Sequence, residues 1–575
     1  MTISTRPTPG RLGPAEHRAA WAELAGGRFD VLVVGGGVTG AGAALDAASR
    51  GLRTALVEAR DLASGTSSRS SKLFHGGLRY LEQLEFPLVR EALRERELML
   101  TRIAPHLVEP VPFLYPIQHR WERPYVGAGL LLYDTLGGRS SLPRHRHLSR
   151  AAALRRCPSL RRSALAGGIL YYDAQTDDAR HTMTVARTAA AQGAVVRTST
   201  EVVRLLREGE RVAGAVLRDS DTGERCEVRA RVVIGATGVW SDRLHDLAEA
   251  PADFRIRASK GVHLVVARDR IDSETGLILR TEKSVLFVIP WRDRWVVGTT
   301  DTDWNLDLAH PSASRRDIDY VLDRVNAVLT RPLTYDDILG VYAGLRPLLS
   351  AGEEASTAKV SREHAVSRPV PGLVTVAGGK YTTYRVMARD AVDACADDLG
   401  GDLAPSVTDR LPLLGGAGFA GLPERRDSLA LELGLPAGQI DRLLRRYGTL
   451  LTEVVAVEDA TLLEPMPGAP EYLRAEIRYA VTHEGALHLD DVLTRRTRIS
   501  VETGHRGIET ARAAAEIAGP VLGWDAATTA REVEAYQVRV AAERASQELH
   551  DDVLAERARL GAPDLRRMAG HGRPD

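Results

Sequence analysis

The sequence predicts an α/β protein: a discontinuous nucleotide-binding core, a sheet-based cap, and a C-terminal all-helical domain. Three observations carry the prediction. Strand-like and helix-like runs alternate through the first ~400 residues. Only helical patterns follow from about Leu411. A glycine-rich turn near the N-terminus sits between a buried strand and a helix.

That turn comes first. Asp30–Val34 reads as the strand, Gly35-Gly36-Gly37-Val38-Thr39-Gly40 as the turn, Ala43-Ala44-Leu45 as the helix, and Val57-Glu58 as a second strand ending in an acid. Gly35 permits the tight turn, Gly37 lets the backbone approach a pyrophosphate, and Gly40 lets the helix pack close to the strand. The helix N-terminus offers unpaired N–H groups to phosphate. Glu58 stands where a carboxylate accepts ribose hydroxyls. A helix over Thr184–Gln192 leads to the strand Ala194–Arg197. Val232–Gly238 is a further buried strand, and its small residues Ala236 and Gly238 allow backbone to lie against a ligand. Leu373–Lys380 runs through Gly378-Gly379 into a helix from about Thr382.

These pieces place the nucleotide-binding core at about 28–99, 177–250 and 341–400, within a region 28–400. The cap takes about 100–176 and 251–340, including His263–Val266, Val285–Ile289 and Trp295–Gly298. The helical domain spans 411–550. Residues 1–27 read as a flexible arm without the apolar core of a secretory signal, and 551–575 as a tail.

Composition excludes several classes. At 575 residues the chain exceeds one core. Its 76 basic residues balance 76 acidic ones, so nothing global points to nucleic acid. Cys157, Cys226 and Cys395 lie far apart, without a CxxC pair, so no metal site or disulfide framework is expected and a reducing compartment fits. His483 and His488 are five apart and do not share a helix face, so they form no zinc motif. No apolar run approaches the ~18 residues that span a bilayer, so any membrane contact is peripheral.

The loop Thr66–Tyr80 is rich in hydroxyls, then basic, then rich in glycine, and suits phosphate and ribose. Its part Ser67–Tyr80 is one of six strings that match a known family. The others are Val33–Gly42, Ile289-Pro290-Trp291, Gly298–Asp301, Gly344–Leu348 and Gly378–Arg385. Over roughly residues 28–550 the chain resembles the FAD-dependent glycerol-3-phosphate dehydrogenases, the aerobic quinone-linked family. The resemblance implies a Rossmann-like FAD-binding domain and oxidation of sn-glycerol 3-phosphate to dihydroxyacetone phosphate. It implies electrons passed to a membrane quinone, or to oxygen in a sister group of oxidases. It also implies a cytoplasmic protein held peripherally at the inner face of the plasma membrane. A homo-oligomer is left open. The rival readings are an oxidase on the same scaffold, another oxidase of the amino-acid oxidase superfamily, and a non-catalytic flavoprotein.

The same resemblance assigns residues. FAD falls to Gly35, Gly37, Gly40, Glu58, Ser67, Ser68, Ser71, Lys72, Gly76, Val203, Ala236, Gly238, Gly379, Thr382 and Thr383. Glycerol 3-phosphate, a small dianion that needs several cations, falls to Arg79, Tyr80, Arg346, Arg362 and Lys380. Loss of the C2 hydroxyl proton calls for a base, with His75 and His263 as candidates and Arg346 polarising the oxygen.

Two charged stretches remain. Thr135–Tyr172 contains Arg139, Arg144, Arg146, Arg150, Arg155, Arg156, Arg161 and Arg162 and no carboxylate. It reads either as a surface for anionic lipid or as a solvated loop. Arg495-Arg496 and the charges around it read as a solvated helix face.

Overall fold

Alternate residues of the strand Arg28–Val34 face two different cores, as the two-residue period of a strand requires. Val31 and Val33 pack beneath the helices Val38–Ser49, Asp178–Ala191 and Tyr384–Asp393. Leu32 and Val34 face the helices Pro14–Gly26 and Ser241–Leu247. Burial on both faces explains the unbroken apolar run. The computed structural model describes residues 9–82, 84–138, 140–250, 254–281, 285–350 and 364–566.

The strand is central in an eight-stranded sheet whose main path runs His364–Val370, Leu373–Gly378, Arg225–Gly235, Arg28–Val34, Thr54–Val57, Val195–Arg197. Pairing along this path is parallel, except for the antiparallel edge strand His364–Val370. A hairpin, Thr200–Glu208 with Arg211–Asp219, joins Arg225–Gly235 antiparallel. At Gly40 a Cβ would stand 1.9 Å from the Gly35 carbonyl oxygen, so only glycine lets this helix approach this strand.

The cap is a ten-stranded sheet. Arg255–Ala267 is its long central strand, and Ile338–Ser350 pairs along its length. The sequence assigned 341–400 to the nucleotide-binding core; the structure moves the strand through Ser350 into the cap. Leu73–Phe74, directly after the hydroxyl-rich loop, pairs with Gly167–Thr176 of the cap. The loop 66–80 therefore crosses from one sheet to the other, over the ligand cavity.

The C-terminal domain packs Ala437–Tyr447, Arg474–Thr482, Ile508–Leu522 and Ala526–Gln547 around two apolar clusters. One short hairpin, Pro465–Met466 with Ala469–Leu473, interrupts the helices.

Three expectations are corrected. The arm is docked from residue 9 on: Pro14–Gly26 is helical, Leu24 is fully buried, and Leu12 N–H donates to the His483 carbonyl at 3.0 Å. The tail is folded through Arg566: Asp552–Leu560 is a helix, and Arg566 clasps Asp491 with bonds of 3.1 and 2.8 Å. Arg495 and Arg496 are buried, not solvated, because both bind Asp61, at 2.5 and 2.6 Å. No helix among the described residues is long and apolar enough to cross a membrane.

Candidate active site

A cavity of about 380 Å³ runs between the two sheets. Part of its wall is the glycine turn. Gly35 has φ +114°, and a Cβ there would stand 2.6 Å from the Ala236 carbonyl oxygen. A Cβ on Gly36 would stand 2.8 Å from Glu58 Cβ. The Gly36 N–H donates to Glu58 Oε2 at 2.6 Å and the Arg60 N–H to Oε1 at 2.8 Å. Burial pushes the Glu58 carboxyl up, while those two N–H groups favour its charged form. Ser67 Oγ accepts from the Val38 N–H at 2.9 Å and so pins the loop to the first turn of the helix. A side-chain-free cradle beside an ordered carboxylate fits the pyrophosphate and ribose of a dinucleotide. Ala236, Gly238, Gly379 and Thr382 also line the cavity.

The remaining wall gathers His75, Tyr80, His263, Arg346 and Lys380. Strand register explains Arg346. Ser259 pairs with Arg346 and Gly261 with Gly344, so the guanidinium lies across Gly261, where a Cβ would come within 2.5 Å of Nη2. Arg346 Nη2 donates to Thr299 Oγ1 at 3.0 Å and to the Thr300 carbonyl at 3.1 Å; Nη1 stands 3.5 Å from Asp301, whose carboxylate accepts from Ser259. Lys380 Nζ lies 3.6 Å from the centre of the Tyr80 ring, a cation–π distance. His263 is buried and stacked on Tyr342 at 4.9 Å, with Nε2 2.9 Å from Ser71 Oγ. Burial first, then Arg346 and Lys72, hold its pKa well below the usual histidine range, so the ring is neutral. His75 is half-buried, and Thr382 Oγ1 binds both its N–H (3.2 Å) and its carbonyl (3.3 Å).

Several expected ligands stand elsewhere. Lys72 is buried against Asp178 at 2.7 Å rather than facing the cavity, because Asp178 caps the same loop through Ser70. Ser68 lies behind the wall, where its carbonyl accepts from Arg498 at 3.1 Å. Gly76 packs on Leu93 and Tyr133, and Thr383 is buried outside the lining. Gly40 acts through helix packing, as expected. Val203 is the extra residue of a bulge between Val202 and Arg204, so Val202 lines the cavity instead. Arg79 begins the short helix Arg79–Glu82, and its side chain lies outside the described residues, as does Arg362 altogether. The sequence reading missed Arg69, which lines the cavity with its pKa lowered to about 10 by burial and by Arg495 and Arg559. It also missed Ser259. Arg69 sits inside the hydroxyl-rich loop and was legible by position; Ser259 depends on register alone.

Comparison with known proteins agrees with this geometry. Residues 30–392 match the model of the FAD dependent oxidoreductases, and residues 406–529 match that of the C-terminal domain of alpha-glycerophosphate oxidase. Glycerol-3-phosphate dehydrogenase 2 of Mycobacterium tuberculosis is 60% identical over 558 residues, 96% of this chain and 95% of its own. The mitochondrial glycerol-3-phosphate dehydrogenase of Homo sapiens is 37% identical over 524 residues, 86% of this chain and 71% of its own. The glycerol-3-phosphate dehydrogenase of Bacillus halodurans, solved with FAD, superposes with a TM-score of 0.77 at 30% identity, over 92% of this chain and 98% of its own. The chain belongs to the FAD dependent oxidoreductase family and, within it, to the glycerol-3-phosphate dehydrogenases.

Proposed function

We propose that this enzyme oxidises sn-glycerol 3-phosphate to dihydroxyacetone phosphate and delivers the electrons to a membrane quinone. The observation that carries the reading is the meeting of Arg346, Lys380, Tyr80 and His75 in the cavity that begins at the glycine cradle. FAD, when bound, supplies the two-electron sink for the hydride leaving C2. The protein's part is binding, orientation and the proton.

Lys380 and Arg346 supply cations for the phosphate dianion and the reacting oxygen. Arg346 is already held by Thr299, Thr300 and Asp301, so little ordering is left for substrate to impose. His75 lines the cavity and accepts the C2 hydroxyl proton. His263 orients Ser71 instead, because its Nε2 is engaged and its basicity is low.

Features of the surface support the quinone as acceptor. Helix Glu122–Leu136 and the residues before it expose Trp121 (65%), Tyr125 (52%) and Leu131 (58%). His145 and His147, from the arginine-rich stretch, line a shallow pocket with Leu131 of that helix. Arg144, Arg146, Arg150, Arg155, Arg156, Arg161 and Arg162 are exposed along the stretch that carries these histidines, whose helix Arg150–Arg156 packs into a different core cluster of the cap. Exposed apolar and aromatic side chains on one element of the cap and exposed arginines on another are the features that suit an anionic lipid interface, where a quinone resides.

The match of residues 406–529 to an oxidase's domain favours a second reading, direct reduction of oxygen. One experiment separates the two. Glycerol 3-phosphate is added without oxygen to the holoenzyme, and its flavin band is expected to bleach. Reoxidation is then expected to be slow in air and fast with a soluble quinone. Fast reoxidation with peroxide release selects the oxidase, and a flavin that stays oxidised overturns the substrate assignment.

A further inference from the structure

A second cavity, of about 190 Å³, lies where the cap, the nucleotide-binding core and the helical domain meet. Its wall combines the junction of Gly167–Thr176 with Asp178–Ala191, the turn at Arg292, and the helix Ala437–Tyr447. The active site uses none of these residues. Its volume amounts to roughly six water volumes.

Buried polar atoms without a partner collect on this wall. They are His106 Nδ1, Gln175 Oε1, Thr176 Oγ1, Asp177 Oδ2, Arg180 Nε, and both Nε and Nη1 of Arg446. Arg446 is 1% exposed and Arg180 2%. Arg446 reaches Asp177 and Glu476 only at 3.5 Å, so its N–H groups are not spent on them. Arg292 joins them with no hydrogen bond or ion pair among the described residues; its guanidinium lies 5.8 Å from the Trp291 ring centre, in the fields of Glu502, Tyr472 and Asp177. Such a concentration of unmet donors, with two or three acceptors among them, calls for a polar occupant.

We propose that this cavity binds a small oxyanion that also carries a hydroxyl: a phosphate- or carboxylate-bearing hydroxy compound of a few carbons. The arginine N–H groups hold the anion, and Asp177 Oδ2 or Gln175 Oε1 accepts from the hydroxyl. The site is coupled to catalysis through Asp177. The other carboxylate oxygen, Oδ1, is gripped by Arg498 at 2.8 Å, and Arg498 also holds Asp178 and the Ser68 carbonyl of the nucleotide loop.

Calorimetric titration of the holoenzyme with inorganic phosphate tests this. Two binding events are expected, one at the active site and one here. K380Q removes the first, and its failure to do so counts against the active-site reading alone. R292Q weakens the second by about tenfold or more, the worth of one charge-assisted hydrogen bond. E109Q, which removes a carboxylate from the cavity wall, tightens the second event without touching an arginine. Retained flavin content and helicity establish that each variant is folded. A single event lost in K380Q shows that the cavity holds water only and overturns the proposal. A second event indifferent to both R292Q and E109Q overturns it as well.

Discussion

Two arginine-rich stretches look alike as strings and behave oppositely as structure. The arginines from Arg144 to Arg162 are exposed: Arg150 and Arg161 donate to backbone carbonyls, and the ion pair of Arg156 with Glu274 at 2.6 Å has both side chains more than half exposed. Arg495, Arg496 and Arg498 are at most 5% exposed. They grip Asp61, Asp177 and Asp178, tying the helical domain to the nucleotide loop. The difference lies in the acids, not in the arginines. Asp61, Asp177 and Asp178 sit more than 300 positions away in the chain, although Arg495 also holds the local acids Asp490 and Asp491. A local window counts charge, but burial of charge is decided by what the fold brings opposite it.

The sharpest way to break the comparison is D61N. Two buried guanidiniums would lose the carboxylate they share, at a cost of about 3–5 kcal/mol. Removing Glu274, the partner of exposed Arg156, is expected to cost only about 0–1 kcal/mol. Thermal unfolding of the two holoenzyme variants checks this. Equal losses would mean that burial does not separate the two groups.

Arg346 lies between these extremes, half-buried and held by Thr299, Thr300 and the Asp301 carboxylate on one side with the cavity on the other. R346Q is expected to lower kcat/KM by about 10²–10³-fold, or roughly 3–4 kcal/mol, with little change in melting temperature. A variant that melts early and keeps its turnover would place Arg346 with the structural group.

How much of this was legible depends on how local the cause is. Gly35, Gly37, Gly40 and Glu58 act through neighbours within one βαβ unit, and their spacing carries the meaning. The strings around His75, Arg346 and Lys380 marked the second half of the site. Lys72 looked equally diagnostic, yet it serves Asp178, 106 positions away. Val203 was named in place of its neighbour Val202, because a bulge shifts the strand's alternation there. The arm and tail looked polar and loose, but Leu12, Leu24 and Arg566 find partners across the fold.

Acid sharpens the comparison further, because the buried groups titrate and the exposed arginines do not. His181 is neutral, with its pKa lowered to about 3 by burial and, secondarily, by His106. The unfolded chain takes up that proton near pH 6.5, so stability is lost as pH falls from about 6.5 toward 3. For Asp177, burial raises the pKa but Arg498, Arg446 and Lys72 outweigh it and hold the carboxyl below its usual range. Its contribution is therefore lost only below about pH 4. His17, His106, His263 and His483 are lowered by burial as well, so melting temperature is expected to decline already from pH 7 to 4.5 and further below that. H181Q is expected to make the upper slope shallower by at most about 1.4 kcal/mol per pH unit, one proton's worth. An unchanged upper slope would mean that His181 does not titrate with unfolding.

The smallest effect on folding, and the one that most directly tests the exposed belt, comes from reversing Arg144, Arg155 and Arg162 to Glu. Each substitution is at the surface and is expected to move stability by less than about 0.5 kcal/mol. Near an anionic bilayer each arginine contributes about 1 kcal/mol, so the triple variant is expected to bind phosphatidylserine-containing vesicles at least about a hundredfold more weakly at low salt. Binding that remains should be insensitive to salt and vanish on adding W121S, since Trp121 contributes by burial rather than by charge. Soluble-quinone turnover should be unchanged throughout, because none of these residues lines the cavity. Vesicle binding that survives the triple reversal would leave the belt a solvated loop. The contrast with Arg495–Arg498 would then be one of burial alone, with no lipid on either side of it.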